Sequence, residues 1–326
     1  MTDFHMLIRE TGGPEVIERE TVAALVPGPG EAVVRHGAIG LNFIDTYRRS
    51  GLYPVELPAG LGTEAAGRVE AVGEGVTGVA VGDRVGYVGG PLGAYATARV
   101  MPAAHLIPLP DGIDSETAAA ALLKGMTAAF LVEQCARVQP GQTVLVHAAA
   151  GGVGSILVQW LAAIGARVIA HAGSPAKAEH AKALGAHDAL HGPMETLAGV
   201  VRDLTGGRGV DAVLDGVGAA SWHASLAATA RRGTLVTYGN ASGPVPPFDA
   251  LALMQAGSIF VTRPTLGDYA HTAEERVGLA RRLFEMILSE RITIPIGQHF
   301  ALRDAAEAHR RLEARETRGA TVLLPD

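Results

Sequence analysis

The chain is poor in the residues that staple a fold or hold a metal. One cysteine, Cys135, stands among 326 residues. That excludes an intramolecular disulfide and a four-thiolate structural zinc site. The twelve histidines are scattered and none stands in an H-E-x-x-H pattern. Positive charge is also short: the formal net charge is −6, and no Lys/Arg cluster offsets it, so the electrostatic footprint of a nucleic-acid binder is missing. No uninterrupted apolar run is long enough to span a bilayer. The opening MTDFHMLIRETGG carries an acidic residue and no apolar block of signal-peptide length. The most apolar segment, 156–172, contains Gln159, Arg167 and His171 and reads as a helix followed by a strand. These absences lead to the expectation of a cytoplasmic protein with no membrane partner.

A hydrophobic content of 48% with 18% charge over this length describes a globular chain long enough for two domains. Residues 1–124 are rich in Gly, Val and short alternating stretches such as Glu31–Arg35, Gly67–Val72 and Asp83–Val88, separated by Gly-containing turns. That texture predicts a compact, barrel-like β domain. It turns helical between Asp114 and Cys135. From Val144 the chain alternates. Strands are predicted at 144–147, 167–171, 211–215, 234–238 and 258–262, with helices at 154–163, 175–184, 195–204 and 221–230. Such alternation implies βαβ units and a parallel sheet, with Gly165, Gly185 and Gly233 at helix C-caps. A long helix at 272–289, a strand at 292–296, a helix at 303–314 and a strand at 320–324 break the alternation and suggest a return to the first domain.

The run Val144-Leu-Val-His-Ala-Ala-Ala-Gly-Gly-Val-Gly154 reads as a strand turning directly into a helix. Ala149, Gly151 and Gly154 fill the small-residue positions of G-x-G-x-x-G, with Ala replacing the first glycine. Gly151 would let the backbone approach a pyrophosphate, Gly154 would allow close helix–strand packing, and the helix N-terminus would offer unpaired N–H groups to the anion. The second strand ends Ile169-Ala-His-Ala-Gly173-Ser174, without the acid that binds a ribose 2′-OH; Glu179 already lies inside the next helix. Gly173, Ser174 and Lys177 on the first helical turn instead suit a 2′-phosphate, so the cofactor reading is NADPH.

Gly40-Leu-Asn-Phe-Ile-Asp-Thr-Tyr47, Arg49-Ser-Gly-Leu-Tyr-Pro54, Gly60-Leu-Gly-Thr-Glu-Ala-Ala-Gly67, Leu123-Lys-Gly-Met-Thr127, the Ala-Ala-Gly-Gly-Val-Gly turn, Tyr238-Gly-Asn-Ala-Ser-Gly243 and Thr262-Arg-Pro264 resemble the quinone oxidoreductase (zeta-crystallin-like) branch of the medium-chain dehydrogenase/reductases. The resemblance is colinear over nearly the whole chain. It implies an α/β protein with a GroES-like β-barrel catalytic domain (1–124 plus 267–326) and a Rossmann doubly wound parallel-sheet NADPH-binding domain (125–266), in a homodimer formed through the Rossmann domain.

Zinc-dependent relatives carry Cys where Asn42 falls and Gly-His-Glu where this chain has Gly62-Thr63-Glu64. The resemblance therefore implies zinc-free hydride transfer. It places Asn42, Phe43, Ile44, Asp45 and Thr46 beside the nicotinamide and its ribose, with Thr127 nearby, and Gly151, Gly152 and Val153 on the pyrophosphate. Gly173, Ser174 and Lys177 take the 2′-phosphate. Gly216, Tyr238, Gly239, Asn240, Arg263, Pro264, Thr265 and Arg315 complete the cofactor contacts. Two departures stand out: Gly192 replaces a tyrosine beside the adenosine, and Gly216 replaces a serine.

Nothing resembles a Ser-His-Asp set or a Schiff-base lysine. The polar candidates at the hydride are Asn42, as cofactor orienter or oxyanion donor, and Tyr47 or Tyr53, as proton donor, with water as the alternative proton source. Lys124 reads as a structural neighbour. The expected function is NADPH-dependent reduction of a quinone or other small conjugated carbonyl. The alternatives are an enone or alkenal double-bond reductase and a non-catalytic NADPH-binding protein.

Overall fold

The computed structural model describes residues 2–325. The chain divides into two compact units: Met1–Met126 with Ala270–Leu288 and Ile294–Asp326, and Thr127–Tyr269 with Ser289–Thr293.

The first unit begins with β1 (Phe4–Ile8), β2 (Glu18–Thr21), β3 (Glu31–Leu41), α1 (Phe43–Arg49), β4 (Ala59–Gly60), β5 (Glu64–Val72), β6 (Arg84–Val88), β7 (Ala98–Pro102) and β8 (Ile107–Pro108). α2 (Ser115–Phe130) then carries the chain into the second unit. Asp114 caps this helix: its carboxylate accepts the Thr117 N–H at 2.7 Å.

The second unit follows as β9 (Thr143–His147), α3 (Gly152–Ala163), β10 (Arg167–Ala172), α4 (Pro175–Ala183), β11 (Asp188–His191), α5 (Met194–Leu204) and β12 (Val210–Asp215). It continues through α6 (Trp222–Ala228), β13 (Thr229–Thr237), α7 (Ala250–Gln255), β14 (Phe260–Thr262) and α8 (Leu266–Tyr269). α9 (Ala273–Leu288), β15 (Ile296–Ala301), α10 (Ala305–Glu313) and β16 (Ala320–Leu324) belong to the first unit.

In the first unit, β3 and β5 are the long central strands of a seven-stranded sheet ordered β15-β16-β3-β5-β6-β8, with β7 also on β3. β16 lies antiparallel to β3, Val322 opposite Gly40, so the C-terminal strand completes the N-terminal sheet. A second, three-stranded sheet is ordered β2-β1-β4. Phe4, Ile8, Ile39, Leu41, Tyr87, Tyr95, Leu302 and Leu323 share one apolar core.

The second unit holds a six-stranded sheet ordered β11-β10-β9-β12-β13-β14, parallel throughout. The order reverses at β9, the switch point at which doubly wound sheets bind dinucleotides. Leu145, Ile169, Val213, Leu235 and Trp222 pack in its core.

Several expectations need correction. The helix expected at 221–230 stops at Ala228, because Thr229 already extends into β13. Gly233 is therefore no helix cap but a residue inside β13, where a Cβ would meet the Asp211 carbonyl oxygen at 3.0 Å. The strand expected at 292–296 begins only at Ile296; Pro295 has no N–H for a ladder, and its carbonyl accepts from Ala320 at 2.7 Å. The edge strand β11 and helix α7 went unread in the sequence. β11 has four residues, and α7 depends on the Asp249 cap, whose carboxylate accepts the Leu251 N–H at 2.9 Å. Finally, Ser115–Cys135 is long and apolar enough to cross a membrane, with mean hydropathy 1.2, contrary to the sequence reading; 72% of it is buried inside the protein. Alanine-rich core helices meet the same length and hydropathy test.

Candidate active site

In the second unit the turn after β9 is built for close approach. Ala148 takes a left-handed conformation (φ 49°), and its carbonyl receives the Gly151 N–H at 2.8 Å. A Cβ on Gly154 would lie 2.2 Å from that same oxygen, so only glycine lets α3 sit this close to the strand. The left-handed residue is thus Ala148, one position before the motif alanine Ala149. Gly151 caps α3 without any side-chain hydrogen bond. Its first-turn N–H groups, on Gly152, Val153 and Gly154, therefore have no intrahelical acceptor and no capping side chain, which is the arrangement that receives a phosphate.

One strand over, a Cβ on Gly173 would meet nothing within 4 Å. Ser174 caps α4, its Oγ accepting the Lys177 N–H at 3.4 Å. Lys177 stands half-buried on the first turn. Ser174 and Lys177 thus share the first turn of α4.

At the far end of the sheet, the Tyr238 N–H donates to the Asp215 carbonyl at 2.8 Å. Its ring passes 3.0 Å from where a Cβ on Gly216 would be, so the glycine at 216 makes room for the tyrosine. Asn240 accepts the Gly243 N–H at 2.9 Å, and the Arg263 guanidinium donates to the Thr237 carbonyl at 2.9 Å. Pro264 is buried, and Thr265 Oγ1 donates to Asp268 at 2.9 Å at the start of α8. Thr127 is half-buried on α2.

Beneath this rim lies a polar row that sequence reading missed. Asp215, 1% exposed, accepts from the Val217 and Gly218 N–H groups and from the hydroxyls of Ser221 and Ser225. Since Ser225 donates to Asp215, its oxygen receives a proton from His147 Nε2, 2.9 Å away. Burial drives the His147 imidazole down to about 4, so it is neutral, and Nδ1 is left buried without a partner. Pairing of β12 with β9 and β13 was the only available signal for this row, and it is a tertiary one.

In the first unit, Asn42 caps α1 in a capping box, the Asp45 carboxylate accepting the Asn42 N–H at 2.9 Å. The Asn42 amide nitrogen donates to Glu64 at 2.8 Å. Glu64 also accepts the Leu123 N–H at 2.6 Å and the Lys124 ammonium at 3.0 Å. Gly40 makes the space: a Cβ there would sit 2.2 Å from the Glu64 carboxylate. Three separately spaced motifs therefore converge on one carboxylate, which leaves Asn42 a single amide hydrogen for other partners.

Asp45 is fully buried. It accepts from Thr63 at 2.7 Å and from Tyr95 at 3.2 Å, and burial raises its carboxyl to about 6. Its side chain is committed inward, so its contribution to a cofactor face is to position α1. Thr46 is likewise buried, its hydroxyl donating to the Phe43 carbonyl at 2.8 Å. Phe43, Ile44 and Tyr47 are half-buried on the outer side of α1. Tyr47 and Tyr53 meet edge to face at 5.4 Å. Arg315 is exposed just past α10, in a left-handed conformation (φ 59°).

His187 and His191 are four residues apart, but His187 directly precedes strand β11 and His191 ends it, so they share no helical face; His187 Nδ1 accepts the Val168 N–H at 3.1 Å. Among the described residues no group of three or more His, Cys, Asp or Glu is arranged to hold a metal ion.

Comparison with known proteins follows the same division. An alcohol dehydrogenase GroES-like domain matches residues 28–111, and a zinc-binding dehydrogenase domain matches residues 152–279, which defines an alcohol-dehydrogenase-like class. The quinone oxidoreductase of Pseudomonas aeruginosa is 51% identical over 96% of this chain and 97% of its own length. The 2-haloacrylate reductase of a Burkholderia species is 41% identical over 98% of each. The structure of Escherichia coli quinone oxidoreductase complexed with NADPH is 42% identical, with a TM-score of 0.96 over 99% of this chain and 100% of that one. The chain belongs to the quinone oxidoreductase branch of the medium-chain dehydrogenase/reductase superfamily.

Proposed function

We propose that this chain is an NADPH-dependent quinone reductase that works without a metal. The observation that carries the reading is the fit between a phosphate cradle (Gly151–Gly154, then Ser174 with Lys177) and full-length similarity to a quinone oxidoreductase complexed with NADPH. NADPH supplies the hydride when bound. Around it, the α3 amides hold the pyrophosphate and Ser174 with Lys177 holds the 2′-phosphate, with Gly216, Tyr238–Asn240, Arg263–Thr265, Thr127 and Arg315 as further cofactor contacts. On the acceptor side Asn42 orients the cofactor or offers its remaining amide hydrogen to the acceptor oxygen. Tyr47, Tyr53 or water returns the proton.

Open strand β14 supports a homodimer. It is one of the two edges of the six-stranded sheet, with Phe260 63% exposed and Leu251 and Met254 exposed on α7 close by in sequence. Exposed apolar side chains at an unpaired edge suit pairing with a second copy. The proposed address is the cytoplasm.

A second reading, reduction of a conjugated C=C bond, is favoured by similarity to the Burkholderia 2-haloacrylate reductase. Steady-state NADPH oxidation with 1,4-benzoquinone, 9,10-phenanthrenequinone and an enone separates the two. Turnover of the quinones by protein dialysed against chelator is the expected result. A preference for the enone favours the second reading. Tight NADPH binding without turnover of any acceptor makes the chain a binding protein, and turnover restored only by zinc removes the metal-free mechanism.

A further inference from the structure

Arg48 stands between the two motifs of the α1 region. On α1, Asp45, Thr46 and Arg49 are buried, whereas Phe43, Ile44, Tyr47 and Arg48 form the half-buried outer face. Buried Arg49 pairs with Glu313 at 2.7 Å, and half-buried Arg84 and Arg167 with Asp111 at 3.3 Å and Asp188 at 2.9 Å, while half-buried Arg202 and Arg276 each donate to three backbone carbonyls and Arg99 donates to the Pro91 carbonyl beside the Tyr87 ring. Among the described residues no carboxylate lies within ion-pairing distance of Arg48. Its one hydrogen bond runs from Nη1 to Thr63 Oγ1 at 2.9 Å.

That bond has a fixed direction. The Thr63 hydroxyl gives its own proton to Asp45 at 2.7 Å, so its oxygen can only accept from the guanidinium. Arg48 is thereby held in place with four of its five N–H donors unengaged. Burial lowers its pKa, while the fields of Asp45 and Tyr53 raise it. A guanidinium stays charged at neutral pH. A cation partly withdrawn from water, anchored at one corner and lacking a direct counter-ion, is matched by a planar anion that takes two parallel N–H bonds.

We infer that Arg48 is an anion-recognition residue on the acceptor side of the site and selects conjugated acceptors that carry a carboxylate. The inference rests on the reductase reading above. For an unsaturated acid the balance is R–CH=CH–COO⁻ + NADPH + H⁺ → R–CH₂–CH₂–COO⁻ + NADP⁺. The C=C π bond breaks, hydride forms one C–H bond at the β-carbon, and a solvent proton forms the other at the α-carbon. A free carboxylate makes such an alkene a poor hydride acceptor. Pairing with a guanidinium draws charge out of it and stabilises the negative charge that grows there as hydride arrives.

The competing structural role is that of a distant counter-ion to Asp45 through Thr63. The test compares 1,4-naphthoquinone with 1,4-naphthoquinone-2-carboxylate as acceptors for wild type, Arg48→Met and Arg48→Lys. In parallel, calorimetry follows benzoate and benzamide binding to the cofactor-free proteins. The expected result is that the kcat/KM ratio of the acidic over the neutral quinone falls at least tenfold in Arg48→Met and partly recovers in Arg48→Lys. Benzoate affinity should fall in step while benzamide affinity does not. Equal loss for both quinones, or benzoate binding that ignores the substitution, overturns the inference and leaves the structural role. If wild type reduces neither quinone the reductase reading fails, and the benzoate comparison alone then decides whether Arg48 binds anions. Should Arg48→Met not fold, Arg48→Gln takes its place under the same criteria.

Discussion

Glu64 and Lys124 form an ion pair sealed from solvent: Oε1 and Nζ are 3.0 Å apart, with the side chains 0% and 7% exposed. Breaking such a pair on one side leaves an uncompensated buried charge. Lys124→Met should therefore destabilise the fold by about 3–5 kcal/mol. The double substitution Glu64→Gln with Lys124→Met removes both charges while keeping a carbonyl oxygen for the Asn42 amide, and should recover most of that loss. Urea titrations of the single and double variants measure it; additive losses would show that the pair is not coupled.

Cofactor choice is tested at Lys177. Lys177→Ala should weaken NADPH by about 1.5–3 kcal/mol, the range for hydrogen bonds to charged groups, with NADH almost unaffected. Kinetic titrations with both cofactors check this. Equal losses would move the 2′-phosphate elsewhere.

Acceptor chemistry is tested at α1. Asn42→Ala should lower turnover by up to roughly 10²-fold, more than it lowers NADPH affinity. If Tyr47 or Tyr53 is the acid, its Phe variant loses turnover together with its pH dependence, while the other tyrosine's variant stays active. Near wild-type turnover in both Phe variants assigns the proton to solvent.

Stability should fall on acidification. Burial pushes His36 and His309 down to about 3 and His147 to about 4, from an ordinary value of 6.5. Between about pH 4 and 6.5 the unfolded chain therefore binds protons that the folded one refuses, and stability present at neutral pH is lost as pH falls. Asp45 opposes this: raised to about 6 from 3.8, its carboxyl makes the fold more stable as pH drops through that interval. Three imidazoles outweigh one carboxyl, each contributing on the order of 1.4 kcal/mol per pH unit. The Tm at pH 5 should lie well below that at pH 7, and His36→Gln should flatten the profile. A Tm that holds or rises on acidification contradicts the assignment.

The quaternary proposal is tested at β14. Phe260→Asp places a charge on the open edge and should shift the protein from dimer to monomer in light scattering at micromolar concentration. A wild-type monomer, or a variant that remains dimeric, removes β14 as the interface.

The βαβ alternation and the parallel sheet were legible in the sequence because hydrophobic period and glycine punctuation are local: Val144–Val146, Gly154 and Gly165 each announce what their own neighbourhood does. The Gly151–Gly154 turn and the Ser174 cap were legible for the same reason, since each follows directly on a strand end. Short elements such as β11 and α7 were not, because their stability comes from a neighbouring strand or a single cap rather than from a periodic pattern. Pro295 and Thr229 moved boundaries by single-residue chemistry. What the tertiary structure alone decided is charge. Glu64, Lys124, Asp45, His147 and Asp215 are ordinary polar residues in the sequence. Their partners, and for Asp45 and His147 their protonation, depend on which strands and helices bring them out of water together, and a buried polar group takes its properties from the groups it faces rather than from its neighbours in the chain.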